Sequence, residues 1–474
     1  MTAPQRPTIP APDPQAAEPL YRQVYQRLRD AIAKGVLKPG DRIPSARALM
    51  AELGVARGTI ESAYSLLAAE GFIQARGQAG TIVAPDLPSQ HMPAVLVPPA
   101  KAVTAAPSFR PETTLPFQMG LPALDAFPRK IWARLGARCV RAMQPADMAH
   151  PPVAGLPSLR AEIAAYLHVA RGVRCSPSQI FVTSGYRHSL ALLAQSLLQR
   201  GDRVWMENPG YPPTRELLTR LLLKPVPVPV DADGLDVAQG QRAAPRARAA
   251  VVTPAHQSPL GVSLSLPRRL ALLDWAKRQE AWIVEDDYDG EYRYVSRPLP
   301  ALQSLDRDGR VLYAGTFSKV LFPSIRLAYV VVPEALVDRF ERTAEIITGG
   351  SPQLTQAIVG AFIAEGHFAR HIQRTRKLYA ERRAQAVAAL EQVLGRSIRI
   401  DEQPGGMHLI LRLQGRRSDR KLVERMLAAG LYGEALSDWT QGRVSDPAVL
   451  VAFTNIASSR DATQLARRLQ PLMA

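Results

Sequence analysis

Lys319 and Arg326 stand seven residues apart in "YAGTFSKVLFPSIRLAYVVVP", a segment that is small and polar around the lysine and then runs into an apolar stretch. A lysine amine attacks carbonyl carbons, and a guanidinium grips a phosphate through two parallel hydrogen bonds. Upstream, "VEDDYDGEY" sets Asp286, Asp287 and Tyr288 at the end of an apolar run, where ionisable side chains are out of place unless something pairs with them. A third stretch, "TSGYRHSL", runs from a strand straight into a helix whose first N–H groups suit a phosphate. Amine, carboxylate, phenol and phosphate cradle together describe a site for pyridoxal phosphate. The lysine forms the Schiff base with the cofactor's aldehyde, and a buried carboxylate keeps the pyridine nitrogen protonated.

Positioning such groups takes a sheet, and suitable strands are present. "QIFVTSG", "DRVWMENPGY", "RAAVVTPAH", "AWIVEDDYDG", "RVLYAGTFSK" and "LAYVVVP" are separated, in several cases, by amphipathic stretches such as "RHSLALLAQSLLQ" and "PRRLALLDWAKRQ". Continuous apolar runs interleaved with helices predict an α/β domain with a mostly parallel sheet covered on both faces, its chemistry at the carboxyl ends of the strands. From about residue 356 the pattern becomes long Arg-rich helices plus "GGMHLILRL", a smaller α+β portion.

At 474 residues and 46% hydrophobic content, the chain has material for two to four domains. The net charge of +17 favours an anionic partner such as nucleic acid or phosphate. Cys139 and Cys175 have no metal-like spacing, so neither a zinc site nor a disulfide framework is expected. The N-terminal "MTAPQRPTIPAPDPQ" lacks the apolar core of a signal peptide, and no run approaches the roughly eighteen apolar residues of a membrane span. These features predict a cytoplasmic protein with no membrane partner.

Residues 1–18 read as a disordered arm, 19–84 as a compact head, 85–116 as a Pro-rich linker and 117–474 as the large domain. In the head, Leu20, Val24, Leu28 and Ile32 recur at helical spacing before the turn-rich "KGVLKPGDRIPS". Ser45 caps a second helix, "ARALMAELG", that ends at Gly54; "GTIESAYSLLAAEG" is a third, and "FIQARGQAGTIVA" a two-stranded wing. That order is a winged helix-turn-helix.

Over its whole length this head resembles the DNA-binding domain of the GntR family. The resemblance implies double-stranded operator DNA as a partner. Ser45, Arg47 and Arg57 would lie on the DNA side, Thr59 would start the recognition helix, and Gly77 and Gly80 would shape the wing. The family commonly has serine where this chain has Ala56. Residues 1–90 hold ten basic against eight acidic side chains, so the chain's positive charge lies mostly elsewhere. The basic run "RTRKLYAERR", residues 374–383, reads either as a second phosphate-contacting surface or as a solvated helix face.

The large domain resembles fold type I pyridoxal-phosphate transferases, the aminotransferases, over roughly residues 117–470; with its head, the chain resembles the MocR/GabR subfamily of transcription regulators. The resemblance implies Lys319 as the Schiff-base lysine, Asp286 as the partner of the ring nitrogen, and Tyr288 at the ring hydroxyl. It also implies Arg326, Thr316 and Ser318 on the phosphate, with backbone N–H groups of Gly185 and Tyr186, and Tyr211 stacked on the ring. Asp287 is the alternate to Asp286, because "EDDY" is one residue shorter than the enzymes' spacing.

Departures from the enzymes are as informative. Their asparagine turn is "HQSPLG" here, leaving His256, Gln257 or Ser258 for the ring hydroxyl. Their cross-dimer tyrosine is His150, and the arginine that clamps a substrate carboxylate aligns with Leu450, with Arg215 or Arg443 as substitutes in space. The resemblance implies a head-to-tail homodimer, and the departures point to a regulator that senses a small amine or amino-acid-like effector at Lys319 and does not sustain transamination. Two further readings remain: pyridoxal phosphate itself as the signal, and an active aminotransferase with a DNA-binding appendage.

Overall fold

The computed structural model describes residues 12–13, 16, 18–77, 80–87, 114–294, 299–415, 417–442 and 446–473. The chain divides into two compact units, Met1–Arg110 and Pro111–Ala474. Most of the arm and of the linker expected at 85–116 lies outside the described residues.

The first unit packs α1 (Leu20–Ala33), α2 (Ala46–Leu53) and α3 (Arg57–Ala69) beside an antiparallel ribbon of β1 (Ile73–Ala75) and β2 (Thr81–Val83). Val24 and Leu28 of α1, Leu49 of α2, Ile60 and Leu67 of α3 and Val83 of β2 close its core, as the helical spacing predicts. The Ser45 hydroxyl accepts a bond from the Ala48 N–H at 3.2 Å, and α2 ends at Gly54 in the left-handed conformation. Tyr64 of α3 donates to the Pro44 carbonyl at 2.6 Å, fixing the turn that enters α2. Ala56 occupies the N-cap of α3 and offers no side-chain acceptor.

In the second unit, α4 (Arg129–Ala142) and α5 (Pro157–Arg171) precede β3 (Ile180–Thr183), α6 (Tyr186–Leu197), β4 (Arg203–Asn208) and α7 (Pro212–Arg220). Next come β5 (Lys224–Asp231), β6 (Gly234–Leu235), α8 (Val237–Ala243), β7 (Ala249–Val252), α9 (Leu266–Arg278), β8 (Trp282–Asp287), β9 (Val311–Thr316) and β10 (Ala328–Val331). The strands form one sheet in the order β3-β10-β9-β8-β7-β4-β5-β6, parallel except for β10 and the two-residue β6. Separate apolar clusters line its two faces, one around Trp205 and Trp275 and another around Phe181, Leu193 and Phe340.

Beyond α10 (Val337–Ile347), α11 (Gln353–Ala364) and the long α12 (His367–Leu394) lies a second sheet. It comprises β11 (Ile398–Ile400), β12 (His408–Leu413), β13 (Glu434–Ala435) and β14 (Ala448–Ala452), ordered β11-β12-β14-β13 and antiparallel throughout. Helices α13 (Asp419–Ala428), α14 (Leu436–Trp439) and α15 (Ser459–Leu469) complete this portion.

Strand β5, "KPVPVPVD", carries three prolines and was not among the predicted strands. Pro225, Pro227 and Pro229 share one parity, so their missing N–H groups all face one side. Asp236 donates to the Pro229 carbonyl on the short β6 side, and the valines between the prolines keep the ladder to β4 intact. Proline is tolerated because that side is nearly an edge.

The basic run 374–383 resolves differently from both predicted readings. Arg374 donates to the Ala126 carbonyl and Arg376 to the Glu291 carbonyl; Arg382, almost fully buried, grips both oxygens of Asp125. Three of its arginines fasten α12, while Arg374 and Lys377 stay exposed on its outer face. Among the described residues, no helix is long and apolar enough to cross a membrane.

The empty cap of α3 has a measurable consequence. Ala56→Ser gives the first-turn N–H groups of α3 a side-chain acceptor worth about 1 kcal/mol. The calorimetric transition of the first unit should rise by roughly 4–8 °C, the shift expected for a domain of this size.

Candidate functional site

The parallel strands deliver five loops to one edge of the large sheet. Strand β9 ends at Thr316, and Lys319 follows within one turn, its Nζ donating to the Gly120 carbonyl at 3.1 Å. Gly120 has a φ of 78°, and a Cβ built there would stand 2.6 Å from that Nζ, so a side chain here would collide with the amine. Burial pulls the Lys319 pKa down, opposed by the charges of Asp289, Glu434 and Asp286. The Thr316 hydroxyl accepts from the Ser318 N–H at 3.2 Å, holding the turn before the lysine.

Strand β8 resolves the choice between its two aspartates, because successive side chains of a strand point to opposite faces. Asp287 points to the face covered by α5, where it meets Arg171 Nε at 2.6 Å and the Tyr313 hydroxyl at 2.6 Å, with Arg171 only 1% exposed. Asp286 points the other way. Burial raises its pKa far above the carboxylate range, Asp287 and Glu207 raise it further, and Lys319 opposes them. A carboxyl in that position ionises readily only against a cationic donor.

Tyr288 places its hydroxyl 3.0 Å from His256 Nδ1, which also lies 3.1 Å from both oxygens of Asp289. A carboxylate only accepts, so the Nδ1 proton goes to Asp289 and the Tyr288 proton is left for another acceptor. Gln257 is committed elsewhere: its amide donates to Glu207, Pro209 and Ser258 and accepts from the Leu260 N–H. The Ser258 N–H bonds the Thr253 hydroxyl. Of the trio in "HQSPLG", His256 and Ser258 reach Tyr288 through their side chains, and Gln257 does not.

At the start of α6, Gly185 adopts a φ of 109°, and a Cβ there would press to 3.1 Å against the Arg326 guanidinium. Arg326 is exposed, and its guanidinium makes no hydrogen bond or ion pair among the described residues. An unpaired guanidinium beside the open N–H groups of a helix start fits a phosphate dianion. The Tyr186 hydroxyl bonds Thr214 at 2.9 Å, and the Tyr211 ring lies 6.2 Å from that of Tyr186 and 5.5 Å from that of Trp439. Together these residues fit pyridoxal phosphate: an amine, a carboxyl in want of a cation, a phenol with a free proton, and a phosphate cradle at one sheet edge.

Leu450, on β14, is fully buried among Ile410, Leu436, Trp439 and Ala448. No carboxylate clamp stands there. Arg215 has no side-chain partner among the described residues, Arg443 lies outside them, and His150 sits exposed before Pro151.

Sequence reasoning missed three acids. Glu207 accepts from Thr253 and Gln257, and burial lifts its pKa to about 7. Asp289 and Glu434 both act on Lys319. The signal available for Glu207 was a charge inside the apolar run "VWMENP"; Glu434, on a two-residue strand, gave none.

In the first unit, Arg47 is exposed on α2, and Arg57 opens α3 in an exposed ion pair with Glu61 at 2.7 Å. Such a pair is worth under about 1 kcal/mol and leaves the guanidinium free to be drawn to a phosphate. Thr59 sits in the first turn of α3. Gly77 and Gly80 have φ of 56° and 89° at the tip of the ribbon, bonded to each other at 3.1 Å. Ser45 is committed to its cap.

Comparison with known proteins assigns both units. Residues 20–83 match the model of bacterial regulatory proteins, gntR family, and residues 123–445 match aminotransferase class I and II. The chain is 39% identical to the probable rhizopine catabolism regulatory protein MocR of Rhizobium meliloti, over 90% of this chain and 88% of that one. It is 34% identical to the pyridoxine biosynthesis transcriptional regulator PdxR of Corynebacterium glutamicum, over 91% of each. Among solved structures it is similar to the α-aminoadipate aminotransferase LysN of Thermus thermophilus, crystallised with N-(5'-phosphopyridoxyl)-L-leucine. The TM-score is 0.68 and the identity 27%, over 76% of this chain and 92% of that one.

The opposite faces of β8 make the two aspartates separable. Asp287→Asn leaves Arg171 buried without a counter-charge and should cost about 3–5 kcal/mol. Asp286→Asn removes an acid whose charge is disfavoured by burial and by two neighbouring carboxylates, and should change stability by less than about 1 kcal/mol in the absence of cofactor. Urea unfolding of the two variants measures the contrast.

Proposed function

The chain belongs to the MocR/GabR subfamily of gntR-type transcriptional regulators, with an aminotransferase class I and II domain behind its head, and from that premise we propose that it regulates transcription by sensing a small amine at a pyridoxal phosphate held by Lys319. The observation that carries the proposal is the joint placement of Lys319, Asp286, Tyr288 and Arg326 at one sheet edge with Leu450 in place of a clamp. When bound, the cofactor supplies an aldehyde carbon that takes up primary amines reversibly.

Each residue of the chain has its part. Lys319 anchors the cofactor, its pKa lowered toward the neutral amine that reacts. Asp286 holds the ring-nitrogen proton, Tyr288 donates to the ring hydroxyl, Tyr211 covers the ring, and Arg326 with Thr316, Ser318 and the Gly185–Tyr186 amides takes the phosphate. His256 and Asp289 keep the Tyr288 hydroxyl aimed. Arg47, Arg57, Thr59 and the Gly77–Gly80 wing tip meet operator DNA, and the chain acts as a head-to-tail homodimer in the cytoplasm.

Turnover is disfavoured because a bidentate arginine contributes positioning that transamination depends on, and Leu450 cannot replace it. The same loss lends weight to a second reading, in which pyridoxal phosphate itself is the signal and no amino acid need be held. Titrating cofactor into the stripped protein while following DNA affinity separates the two.

Borohydride reduction should leave a pyridoxyl group on Lys319, read by peptide mass spectrometry, and none on Lys319→Ala. On fragments selected for binding by the unaltered chain, Lys319→Ala should keep its DNA affinity within about threefold, while Arg57→Ala should lose about tenfold, the lower end of a lost arginine contact. Arg57→Ala should retain the pyridoxyl group. Equal loss of DNA binding in both variants would overturn the division of labour.

A further inference from the structure

The missing arginine is only half of what has changed in the effector end of the site. Directly across from Leu450 in the small sheet is Glu434 of β13. Its carboxylate accepts from the Tyr432 hydroxyl at 2.9 Å and from Trp439 Nε1 at 3.0 Å, and among the described residues it forms no ion pair. Both partners are neutral donors, one to each oxygen, so each oxygen keeps acceptor capacity.

Glu434 is also fastened against the cofactor edge. The residues that follow it are strapped to the end of β4: the Gly210 N–H donates to the Trp439 carbonyl at 3.0 Å, the Gln441 N–H to Asn208 Oδ1 at 2.7 Å, and the Asn208 amide to the Gln441 carbonyl at 3.0 Å. Trp439, which holds Glu434, lies against Tyr211. The charge of Glu434 is felt at Lys319 and is the largest charge acting on Tyr211. Asp289, Glu434 and Asp286 are the carboxylates that act on Lys319.

We propose that the effector is a primary amine without a carboxylate, whose far end is an ammonium or a hydroxyl received by Glu434 above the apolar floor of Leu450, Ile410 and Leu436. This inference rests on the reading of the site as a Lys319-anchored pyridoxal phosphate. An incoming carboxylate meets Glu434 with no guanidinium among the described residues to offset it. An incoming ammonium gives a half-buried carboxylate a direct counter-charge, and a hydroxyl can donate to it without adding charge.

The test uses the full chain loaded with pyridoxal phosphate and three four-carbon amines that differ only at the far end: 1,4-diaminobutane, 4-aminobutan-1-ol and 4-aminobutanoate. Isothermal calorimetry should show the diamine and the amino alcohol binding at least tenfold more tightly than the amino acid. Glu434→Gln should narrow the gap between diamine and amino acid by tenfold or more. Tighter or equal binding of 4-aminobutanoate, no measurable difference among the three, or an unchanged order in a folded Glu434→Gln protein each overturns the inference. Should that variant fail to fold, the unaltered chain's series decides alone. Absence of the borohydride-fixed pyridoxyl group on Lys319 is a separate outcome, and it overturns the reading of the site on which the inference stands.

Discussion

The buried pair of Arg171 and Asp287 is the constraint on which the rest of the large unit's site depends. Arg171 closes α5, and its guanidinium reaches Asp287 on β8 and the carbonyl of Gly290 beyond it, while Tyr313 on β9 donates to the same carboxylate. One ion pair therefore ties a helix to two central strands and to the loop that carries Tyr288 and Asp289. Ion pairs this deep add little net stability, since desolvation consumes most of the attraction, but they tolerate no missing partner. Their value here is orientational. With Asp287 locked beneath the sheet, strand parity sends Asp286 to the opposite face, where it feels Lys319.

The division between what the sequence revealed and what it hid follows the range of the interactions. Residues whose role depends on their own strand end were legible: Lys319 after β9, Gly185 before α6, the aspartates closing β8, the Ser45 cap and the left-handed Gly54. Each is a local event whose partners lie within a few positions. Leu450 was legible as a departure, because a leucine at a place where arginine is expected carries information without any contact. Glu434 was not, because its importance comes from a cross-strand neighbour, a tryptophan and a strap to β4 more than two hundred residues away in sequence. Long-range placement also turned the basic run of α12 from a surface into an anchor, since Asp125 and Glu291 lie far from it along the chain. Strand β5 was hidden for a different reason: its prolines argue against a strand until one sees that they all face the nearly open side.

The strap between the small sheet and β4 also bears on how a bound molecule could change the protein. Residues 434–441 hold the acid at one end and the bonds to Asn208 and Gly210 at the other. A group that bonds Glu434 therefore acts on the same short segment that joins the small sheet to the large one. A ligand shifts a conformational equilibrium only by its difference in affinity between two states. A contact made at such a junction can differ between states, because any motion of one sheet against the other changes the distance it must span.

That consideration explains why a sensor gains by giving up the clamp. An arginine on the substrate carboxylate fixes the carbon next to the reacting nitrogen, and the alignment of that carbon with the lysine is what proton transfer needs. Holding the far end of an amine at Glu434, over Leu450 and its apolar neighbours, leaves that carbon unaligned while still lengthening the stay of the ligand. Chemistry would consume the signal; residence preserves it. In the proposed sensor, Lys319, Asp286 and Arg326 would keep the cofactor as an attachment point, and Leu450, with the Glu434 carboxylate across from it, would move the binding energy from the reacting centre to the junction between the two sheets.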